Sequence, residues 1–502
     1  MPSIRTTKTS SGATAIQVVR YHNRKPVILK HIGSAHTNEE VEALIQSAQS
    51  WIVEHIGQAS LLSAESSRVL PLQQSCFAGV RYTLAYRTLT TVARCCGFDA
   101  LDDPLVLDLA FVRIMEPCSK RRSRILLERF FGIRYAERSL YRALPNLIRH
   151  KEAVERIVLA CARREFSFDC SLVLYDVTTL YFESFREDEP EEKEKGLRKT
   201  GFSKDNKPQQ PQVVVGLLVT NQGFPLAYDV FRGNTFEGHT MLPVLTDFKK
   251  RHKIKSCIVV ADAAMLSVEN IVELQEKKLS YIVGARLANL SQKRIDTISA
   301  ALKEKDGATV RVPTQHGDLI CAFSQQRYRK DKHEMEKQIA RAKKLVDRGE
   351  SGRRAKFVRK EGGSYTFNEK LAKKTEQLLG IKGYYTNIPE QQKRNAEVIE
   401  HYRNLWRVEQ SFRMSKHDLE VRPIFHWKEE AIRAHLLICF IALGIAKYME
   451  LKTEYSIQYI VDALKQVGDA RILNKTTEEE ILISPQIPEE TSKILQQIGV
   501  SN

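Results

Sequence analysis

Three β-rich segments lie close together in the middle of the chain, at 171–182, 213–219 and 224–231. The last two flank a short polar turn at 221–223, a pattern that is typical of a β-hairpin. Beyond them, segments with helical and strand spacing alternate. These segments are a helix at 239–251, a strand at 256–261, a helix at 268–277, a strand at 280–285 and a helix at 290–303.

This order, three strands followed by alternating helices and strands, is that of a ribonuclease-H-like sheet with helices on its faces, which is an α/β fold. In such a sheet the first and fourth strands are neighbours. Asp176 lies inside the first predicted strand, and Asp262 directly follows the fourth. The sequence therefore predicts that these two carboxylates stand side by side.

Two neighbouring carboxylates repel each other, and burying one in an apolar strand is costly unless something pairs with it. A divalent cation removes the conflict, and Mg²⁺ prefers a few carboxylates together with waters and phosphate oxygens. Two such ions activate the attacking oxygen and stabilise the leaving one in a phosphoryl displacement. An Asp at a strand end is also a common turn former or helix cap, but the pair in this strand order favours a metal site.

A two-metal site needs a third acid, and Glu409 is the candidate on the segment YRNLWRVEQSFRMSK. Tyr402, Glu409 and Lys416 are spaced by seven residues, so on one continuous helix they share a face, and Arg413 lies on the same stripe. An acid, two cations and a phenol suit a phosphate lying over a metal. A surface helix with ion pairs between residues four apart explains the same pattern equally well.

The charge of the chain points to a polyanionic partner. The formal net charge is +17, and the segment 327–360 has 14 Lys and Arg against 5 Asp and Glu. Lys and Arg displace counterions from a nucleic-acid backbone, so we expect phosphate contacts there. The run at 186–195, in which every residue except Pro190 is charged, is expected to be a surface loop.

The N-terminal third is mixed. Two strands are predicted within 14–31 and a helix at 38–55, and residues 77–165 are mostly helical. Within 119–147, two helices flank a break at Gly132. This arrangement is compatible with a helix-turn-helix DNA reader and equally with an ordinary helical hairpin.

Other features narrow the class of protein. The longest apolar run, at 436–446, has 11 residues, which predicts a buried helix rather than a membrane span. The 9 cysteines show no metal-ligand spacing and are expected to be reduced. No secretory signal is expected, so we expect a cytoplasmic protein. No phosphate-binding loop of ATPases occurs in the sequence.

Several segments resemble DDE transposases of bacterial insertion sequences, and specifically the class with a Tyr-Arg-Glu-Lys signature around the last acid. They are LVLYDVTTLYFES, GFPLAYDVFRGNTFEGHT, IVVADAAMLS, GYYTNI and HYRNLWRVEQSFRMSKHDLEVRPIFHW, spread over residues 171–450. The opening RTTKTSSG and the segment KHIGSA resemble that class more loosely.

The resemblance implies a catalytic triad, Asp176, Asp262 and Glu409, holding two divalent metal ions, Mg²⁺ with Mn²⁺ as a substitute. It implies DNA contacts by Tyr402 and Lys416. The signature Arg falls at Leu405 in this chain, so its role passes to a neighbour, for which the candidates are Arg403, Arg407 and Arg413.

The resemblance also implies partners and a domain plan. The partners are double-stranded DNA, as terminal inverted repeats and target, and a second copy of the chain in a synaptic dimer; a bacterial, nucleoid-associated location follows. The 146 residues between Asp262 and Glu409 imply an insertion in the catalytic domain. The predicted domains are a small β/α region at 1–75, a helical DNA-binding region at 76–168, the ribonuclease-H-like domain at 169–305, a basic insertion domain at 306–383, the second catalytic part with the Glu-bearing helix at 384–455, and a tail at 456–502 that is a candidate for dimerisation.

Alternatives remain open at this point. A metal-dependent nuclease on the same scaffold would cut DNA without strand transfer, and an inactive transposase-derived DNA-binding protein would do neither. Glu237 is the next candidate for the third acid, while Asn234 and Thr240 are explained as turn or cap residues. Trp406 is expected to pack in the core, with stacking on an extruded base as the other interpretation.

Overall fold

A computed structural model of the chain describes residues 2–22, 25–56, 75–188, 196–265, 268–277, 279–302, 305–315, 317–348, 355–361, 364–475 and 480–500. It divides into two compact units. The first contains residues 1–90, 124–135 and 458–502, and the second contains 91–123 and 136–457.

The strands and helices are numbered along the chain. The strands are β1 (Pro2–Lys8), β2 (Thr14–His22), β3 (Lys25–Ala35), β4 (Ser75–Arg81), β5 (Leu172–Tyr181), β6 (Gln212–Thr220), β7 (Pro225–Arg232), β8 (Ile258–Ala261), β9 (Ser280–Ala285), β10 (Thr309–Thr314), β11 (Gly317–Phe323), β12 (Val358–Glu361), β13 (Ser364–Phe367), β14 (Ile381–Thr386), β15 (Asp469–Asn474) and β16 (Glu480–Ile483). The helices are α1 (Asn38–Ile56), α2 (Thr83–Cys96), α3 (Pro104–Met115), α4 (Lys120–Leu126), α5 (Glu137–Ala143), α6 (Lys151–Phe166), α7 (Met241–His252), α8 (Val268–Glu276), α9 (Gln292–Leu302), α10 (Gln325–Arg348), α11 (Glu369–Glu376), α12 (Asn395–Arg403), α13 (Trp406–Arg413), α14 (Glu429–Thr453), α15 (Ile457–Gln466) and α16 (Glu489–Gln497).

The second unit is built on one mixed sheet, with the strand order β10-β11-β14-β9-β8-β5-β6-β7. Strands β5, β6 and β7 are antiparallel to one another, whereas β8 runs parallel to β5, and β9 runs parallel to β8. In the part β7-β6-β5-β8-β9, the first strand of the predicted series, β5, lies beside the fourth, β8. The prediction that the first and fourth strands of this series are neighbours is confirmed.

The central strands are apolar because both faces of the sheet are covered. Every residue of β6 is buried, which explains its continuous apolar run. On one face, side chains of β5 and β6 pack against α13 and α14. On the other, the Tyr175 ring comes so close to Gly216 that a Cβ there would lie 2.2 Å from the Tyr175 hydroxyl oxygen. Glycine is therefore required in the middle of β6.

The segment after β9 extends the same sheet. Strand β14 pairs antiparallel with β9, and β11 and β10 follow outward from β14. The predicted insertion boundary at 306 therefore lies within one sheet. Helix α10, the hairpin of β12 and β13, and α11 enclose a smaller core around Phe357 and Ala342. Residues 349–354 of the basic segment lie outside the described residues.

The predicted buried helix is confirmed in α14, which is longer than its apolar run. By length and composition α14 is apolar enough to cross a membrane, but 89% of its most apolar 18-residue window is buried inside the protein. It is therefore the central helix of the second unit's core. Among the nine free cysteines, six are buried.

In the first unit, β1, β2 and β3 form an antiparallel sheet that packs on α1 around Ile16 and Leu44. The two predicted strands and the helix are confirmed, and β1 was not predicted. A second sheet pairs β15 from the C-terminal part with β4 and β16.

The predicted break at Gly132 is present, with a φ of 76°. It separates α4, which continues into a turn of π-helix at 127–131, from α5. Residues 124–135 group with the first unit, whereas both flanking stretches group with the second. Of the charged run at 186–195, residues 189–195 lie outside the described part of the chain.

Candidate active site

Asp176 and Asp262 stand at the same level of two adjacent strands. In the parallel pairing of β5 with β8, Tyr175 is the partner of Ala261, so the next residues in register are the two acids. Neighbouring strands lie about 4.8 Å apart in a sheet, so the backbones of the two residues are close. This juxtaposition is what the strand order predicts.

The Asp176 carboxyl lies in a partly enclosed site with the acidic side chains of Glu237 and Asp262 nearby. Its burial raises the pKa of Asp176 to about 6, and the nearby charges of Glu237 and Asp262 push in the same direction. The positive charge of Lys204 opposes this effect. A carboxyl group whose pKa is raised by burial, and to a smaller extent by neighbouring acids, is typical of a functional site, and a bound cation would favour its ionised form.

Lys204 is a cation in contact with this cluster. Its Nζ donates a hydrogen bond to the Val177 carbonyl oxygen at 2.8 Å and forms an ion pair with Glu237 Oε1 at 3.1 Å. The residue comes from the polar loop between β5 and β6, and its backbone N–H is held by Thr179 Oγ1 at 3.0 Å. Sequence reasoning missed Lys204 because a lone Lys in an aperiodic polar loop carries no signal of the strand it folds back onto.

Asp262 is held by a phenol rather than by a cation. The Tyr402 hydroxyl donates a hydrogen bond to Asp262 Oδ1 at 2.9 Å. Burial and the neighbouring negative charge of Asp262 raise the pKa of Tyr402. A Cβ on Gly284 would lie 2.5 Å from the Tyr402 hydroxyl oxygen, so this bond requires glycine at that position of β9. Lys382 Nζ lies 4.6 Å from the centre of the Tyr402 ring.

Glu409 is exposed on α13, the helix that packs on β5 and β6. Strand alternation places Asp176 on the same face of β5 as Thr178 and Leu180, which line one cavity with Phe412 of α13. The charge of Glu409, like that of Asp262, raises the pKa of Lys382 against the larger effects of burial and Arg327, which lower it. Glu409 therefore lies on the Asp176 face of the sheet and within electrostatic reach of the Asp262 surroundings.

The prediction of one continuous helix through these residues is wrong. Helix α12 ends at Arg403 and α13 begins at Trp406, and the backbone N–H groups of Leu405, Arg407 and Val408 bond three residues back instead of four. A turn of π-helix follows at 414–418. The helical repeat that placed three signature residues on one face is thus interrupted twice.

Lys416 forms a partly buried ion pair. Its Nζ lies 3.2 Å from Asp205 Oδ1, and the Arg422 guanidinium lies 3.2 Å from the other oxygen of that carboxylate. The side chains of Lys416 and Asp205 are each 11% exposed. In this arrangement the Lys416 ammonium pairs with the Asp205 carboxylate and is not presented on an open surface. Asp205 is a second loop residue that sequence reasoning missed.

The arginine candidates differ in their surroundings. Arg403 and Arg413 are exposed, while the Arg407 guanidinium lies 5.0 Å from the centre of the Trp406 ring. Trp406 is 50% exposed, so the expectation that it packs in the core is wrong. It extends into solvent because it begins α13 on the side away from the sheet. The buried residue of this turn is Leu405.

The acids of this site have the right donor atoms for metal ions but are not arranged to bind one. Carboxylate oxygens are the donors that Mg²⁺ prefers, and Asp176, Asp262 and Glu409 offer them from two adjacent strands and the helix above. Within the described ranges, however, no three His, Cys, Asp or Glu side chains are grouped tightly enough to hold a metal ion. Lys204 and Tyr402 occupy the vicinity of the two aspartates, so binding requires side chains to move.

A cleft of about 430 Å³ opens beside Asp262. Its walls include Tyr402 and Lys382 on one side and Arg327 of α10 on the other. The lining carries three cations, Arg327, Lys356 and Lys382, and three acids, Asp262, Asp331 and Glu334, and Arg327 pairs with Asp331 at 3.2 Å, so the cleft itself has no excess of positive charge.

Residues 169–445 match the family of the transposase DDE domain. The matched stretch covers more than half of the chain and contains Asp176, Asp262 and Glu409. The chain belongs to this transposase family. No curated protein matches it.

Two solved transposases show a distant likeness to this family member. A cryo-EM structure of a piggyBac transposase synaptic complex with hairpin DNA is 10% identical, with a TM-score of 0.35, over 76% of this chain and 70% of that chain. A Mos1 transposase paired-end complex with the left transposon end is 15% identical, with a TM-score of 0.15, over 34% of this chain and 48% of that chain. Scores this low leave the family match and the local geometry to carry the assignment.

Proposed function

We propose that this transposase cleaves the ends of a bacterial insertion sequence and transfers the 3′-ends to target DNA, with Asp176, Asp262 and Glu409 as its catalytic acids. The observation that carries the proposal is the register of β5 and β8, which sets Asp176 and Asp262 side by side inside the matched domain. The helix with Glu409, packed over β5 and β6, supports the third assignment.

The three carboxylates would hold two divalent ions, Mg²⁺ or Mn²⁺, which supply a Lewis acid for the leaving oxygen and a lowered pKa for the attacking water or 3′-hydroxyl. The chain's own residues prepare this site. Asp176, with a pKa of about 6, is mostly ionised at pH 7 to 8. Tyr402 orients the Asp262 carboxylate through its hydroxyl. Lys204 keeps Asp176 and Glu237 from repelling each other until the site fills.

The DNA contacts in this proposal come from three exposed arginines and the half-buried Lys382. Arg403 and Arg413 flank the Glu409 helix, and Arg327 and Lys382 line the cleft beside Asp262. The net charge of +17 supports a DNA partner. We include in the proposal a synaptic dimer, a cytoplasmic location, and membership in the Tyr-Arg-Glu-Lys class with Arg403, Arg407 or Arg413 in place of the Arg missing at Leu405.

The test is a joining assay with a labelled duplex that carries the inverted repeats flanking the gene, together with a supercoiled target plasmid and Mg²⁺. The proposal predicts both a nicked product with a free 3′-hydroxyl and a joined product. Cleavage without joining would indicate a metal-dependent nuclease instead. If neither product forms although the duplex binds, an inactive DNA-binding protein is the correct description.

The third acid is tested in the same assay by Glu409→Gln against Glu237→Gln. We expect Glu409→Gln to abolish both products and Glu237→Gln to retain them, because Glu237 is paired with Lys204 at 3.1 Å. The reverse result would move the third acid to Glu237.

A further inference from the structure

A separate pocket in the second unit collects basic side chains. It has a volume of about 160 Å³ and is lined by residues at the end of α3, the start of α4, α5, α14 and the segment 420–426. Its basic lining residues are Arg113, Lys120, Arg422, His426 and His435. The lining has a single acid, Glu420, whose side chain is exposed.

Lys120 is the residue that makes the pocket unusual, because it is only 3% exposed. Its Nζ donates to His435 Nδ1 at 3.4 Å, and His435 Nε2 in turn donates to the Val421 carbonyl oxygen at 3.0 Å. An ammonium can only donate, so Nδ1 is the acceptor and the imidazole is neutral with its proton on Nε2. Among the described residues, no carboxylate lies within 4.0 Å of Lys120. Two of its three N–H bonds are thus left for another acceptor.

Arg113 forms the second fixed cation of this pocket. It is 4% exposed, and its terminal nitrogens donate to the carbonyl oxygens of Leu419 and Cys118 at 3.0 and 2.6 Å. Its Nε is buried without a partner. Carbonyl oxygens hold the guanidinium in position but do not neutralise it, so the positive charge remains in the pocket.

The basic groups repel one another through this space. Burial, and to a smaller extent the charge of Arg113, lowers the pKa of Lys120 to about 7. Burial likewise lowers the pKa of His426 to about 4, with Lys120 and Arg113 adding to the effect. Buried charges are normally paired, and here the partner that would relieve the repulsion is an anion.

Size and surroundings indicate which anion fits. The cavity is several times the roughly 30 Å³ share of one water molecule, which leaves room for a tetrahedral oxyanion. Two exposed aromatic residues line it, Tyr141 at 44% and Phe425 at 61% exposure. Aromatic rings beside a phosphate-sized basic pocket are the arrangement on which nucleotide bases stack.

We propose that this pocket binds a phosphate group, and that the phosphate belongs to the backbone of bound DNA. The pocket as a phosphate site is independent of the proposed function, whereas its assignment to DNA rests on it. Lys120 and Tyr141 lie on α4 and α5, the two helices of the segment 119–147. The segment 119–147 would then contact DNA through a backbone phosphate bound between its helices and α14. This contact does not require the segment to recognise bases.

The first experiment measures binding of inorganic phosphate to the full chain by titration calorimetry, in a buffer free of sulfate and phosphate. We expect one phosphate per chain. Lys120→Met removes a charged donor and should weaken binding about tenfold or more. Lys255→Met, which removes an exposed Lys from the loop before β8, is the control of equal charge and should bind like the wild type.

Ser119→Asp keeps the result interpretable if Lys120→Met does not fold. Ser119 is exposed on the lining of the pocket, so the substitution is tolerated by the fold and supplies a carboxylate in place of the anion. It should abolish phosphate binding. No phosphate binding by the wild type, or equal binding by wild type, Lys120→Met and Ser119→Asp, would overturn the proposal.

The second experiment identifies the source of the phosphate with a fluorescent duplex over a range of salt concentrations. If the phosphate belongs to DNA, Lys120→Met lowers the salt dependence by about one phosphate contact, and Tyr141→Ala weakens duplex binding but not inorganic phosphate binding. If both variants bind the duplex like wild type while inorganic phosphate still binds, the ligand is the free ion and the assignment to DNA is wrong. If the wild type binds inorganic phosphate but does not cleave the end duplex in the joining assay, the proposed function is wrong and the phosphate site stands.

Discussion

The acid cluster on β5 and β8 and the basic pocket around Lys120 differ in whether their charged side chains have partners within the protein. In the first, Lys204 lies near Asp176 and pairs with Glu237, and the Tyr402 hydroxyl bonds to Asp262, while Glu409 is exposed. The nearby loop residue Asp205 is likewise paired, with Lys416 and Arg422. In the second, Lys120 and Arg113 are buried with neutral partners only. In the two proposals, the first site exchanges its internal partners for metal ions, whereas the second has positive charge available for one anion.

The largest expected effect is on chemistry at the acid cluster. Asp262→Asn should reduce DNA cleavage by about 1000-fold or more, because loss of a metal ligand removes several kcal/mol of transition-state stabilisation. The measurement is single-turnover cleavage of the end duplex in Mg²⁺. Asp229→Asn, on β7 of the same sheet, is the matched control and should cleave normally. Wild-type rates for Asp262→Asn would remove this residue from the site.

The next effect is on stability. Asp205→Asn leaves Lys416 and Arg422 buried without their carboxylate, so the free energy of unfolding should fall by about 3 kcal/mol. Urea denaturation measures the change. Asp229→Asn is again the control, because its carboxylate pairs with Arg433 only at 3.8 Å on a more exposed face, and it should cost under about 0.5 kcal/mol. Equal effects of the two substitutions would contradict the role given to Asp205.

Asp176→Asn should act in the opposite direction, in a pH-dependent way. The folded-state pKa of Asp176, about 6, is above its ordinary value of 3.8, so the folded protein is destabilised as pH rises through this interval. The amide carries no charge, and the variant should be more stable than wild type by about 1 to 3 kcal/mol at pH 8. Near pH 4 the difference should largely vanish. Urea denaturation at the two pH values measures this difference. A variant less stable than wild type at pH 8 would show that the ionised Asp176 carboxylate does not destabilise the folded protein.

The smallest effect is expected at Lys120. Lys120→Met breaks no ion pair, and replacing an unpaired buried ammonium by an apolar chain of similar length should change the free energy of unfolding by no more than about 1 kcal/mol. The same denaturation experiment measures it, beside Asp205→Asn. A loss as large as that of Asp205→Asn would reveal a counterion for Lys120 and remove the contrast between the two regions.

The sequence predicts the sheet well because its strands and helices have distinct periods. The segments from 171 to 303 were placed within about two residues of β5 to α9, and their order alone brought Asp176 next to Asp262. The helical segment with Glu409 was predicted at the correct position, but as one continuous helix instead of α12 and α13. No Gly or Pro marks the break near Leu405, where backbone bonds shift from four residues to three.

The partners of the acids could not be predicted in the same way. Lys204 and Asp205 lie in an aperiodic loop, and their contacts with Glu237 and Lys416 join residues far apart along the chain. Such pairings depend on where the loop folds back, which no local pattern encodes. The basic pocket is similar, since Lys120 and His435 are separated by most of the second unit's sequence.

The central claim is that three remote acids share one metal site, and iron-directed cleavage of the polypeptide tests it most directly. Fe²⁺ replaces Mg²⁺ in the full chain bound to its end duplex, and ascorbate with peroxide generates hydroxyl radicals at the bound ion. We predict three backbone cuts, close to residues 176, 262 and 409, all suppressed by excess Mg²⁺ and by Asp262→Asn. Cuts near 176 and 237 without one near 409, or no localised cuts at all, would contradict it.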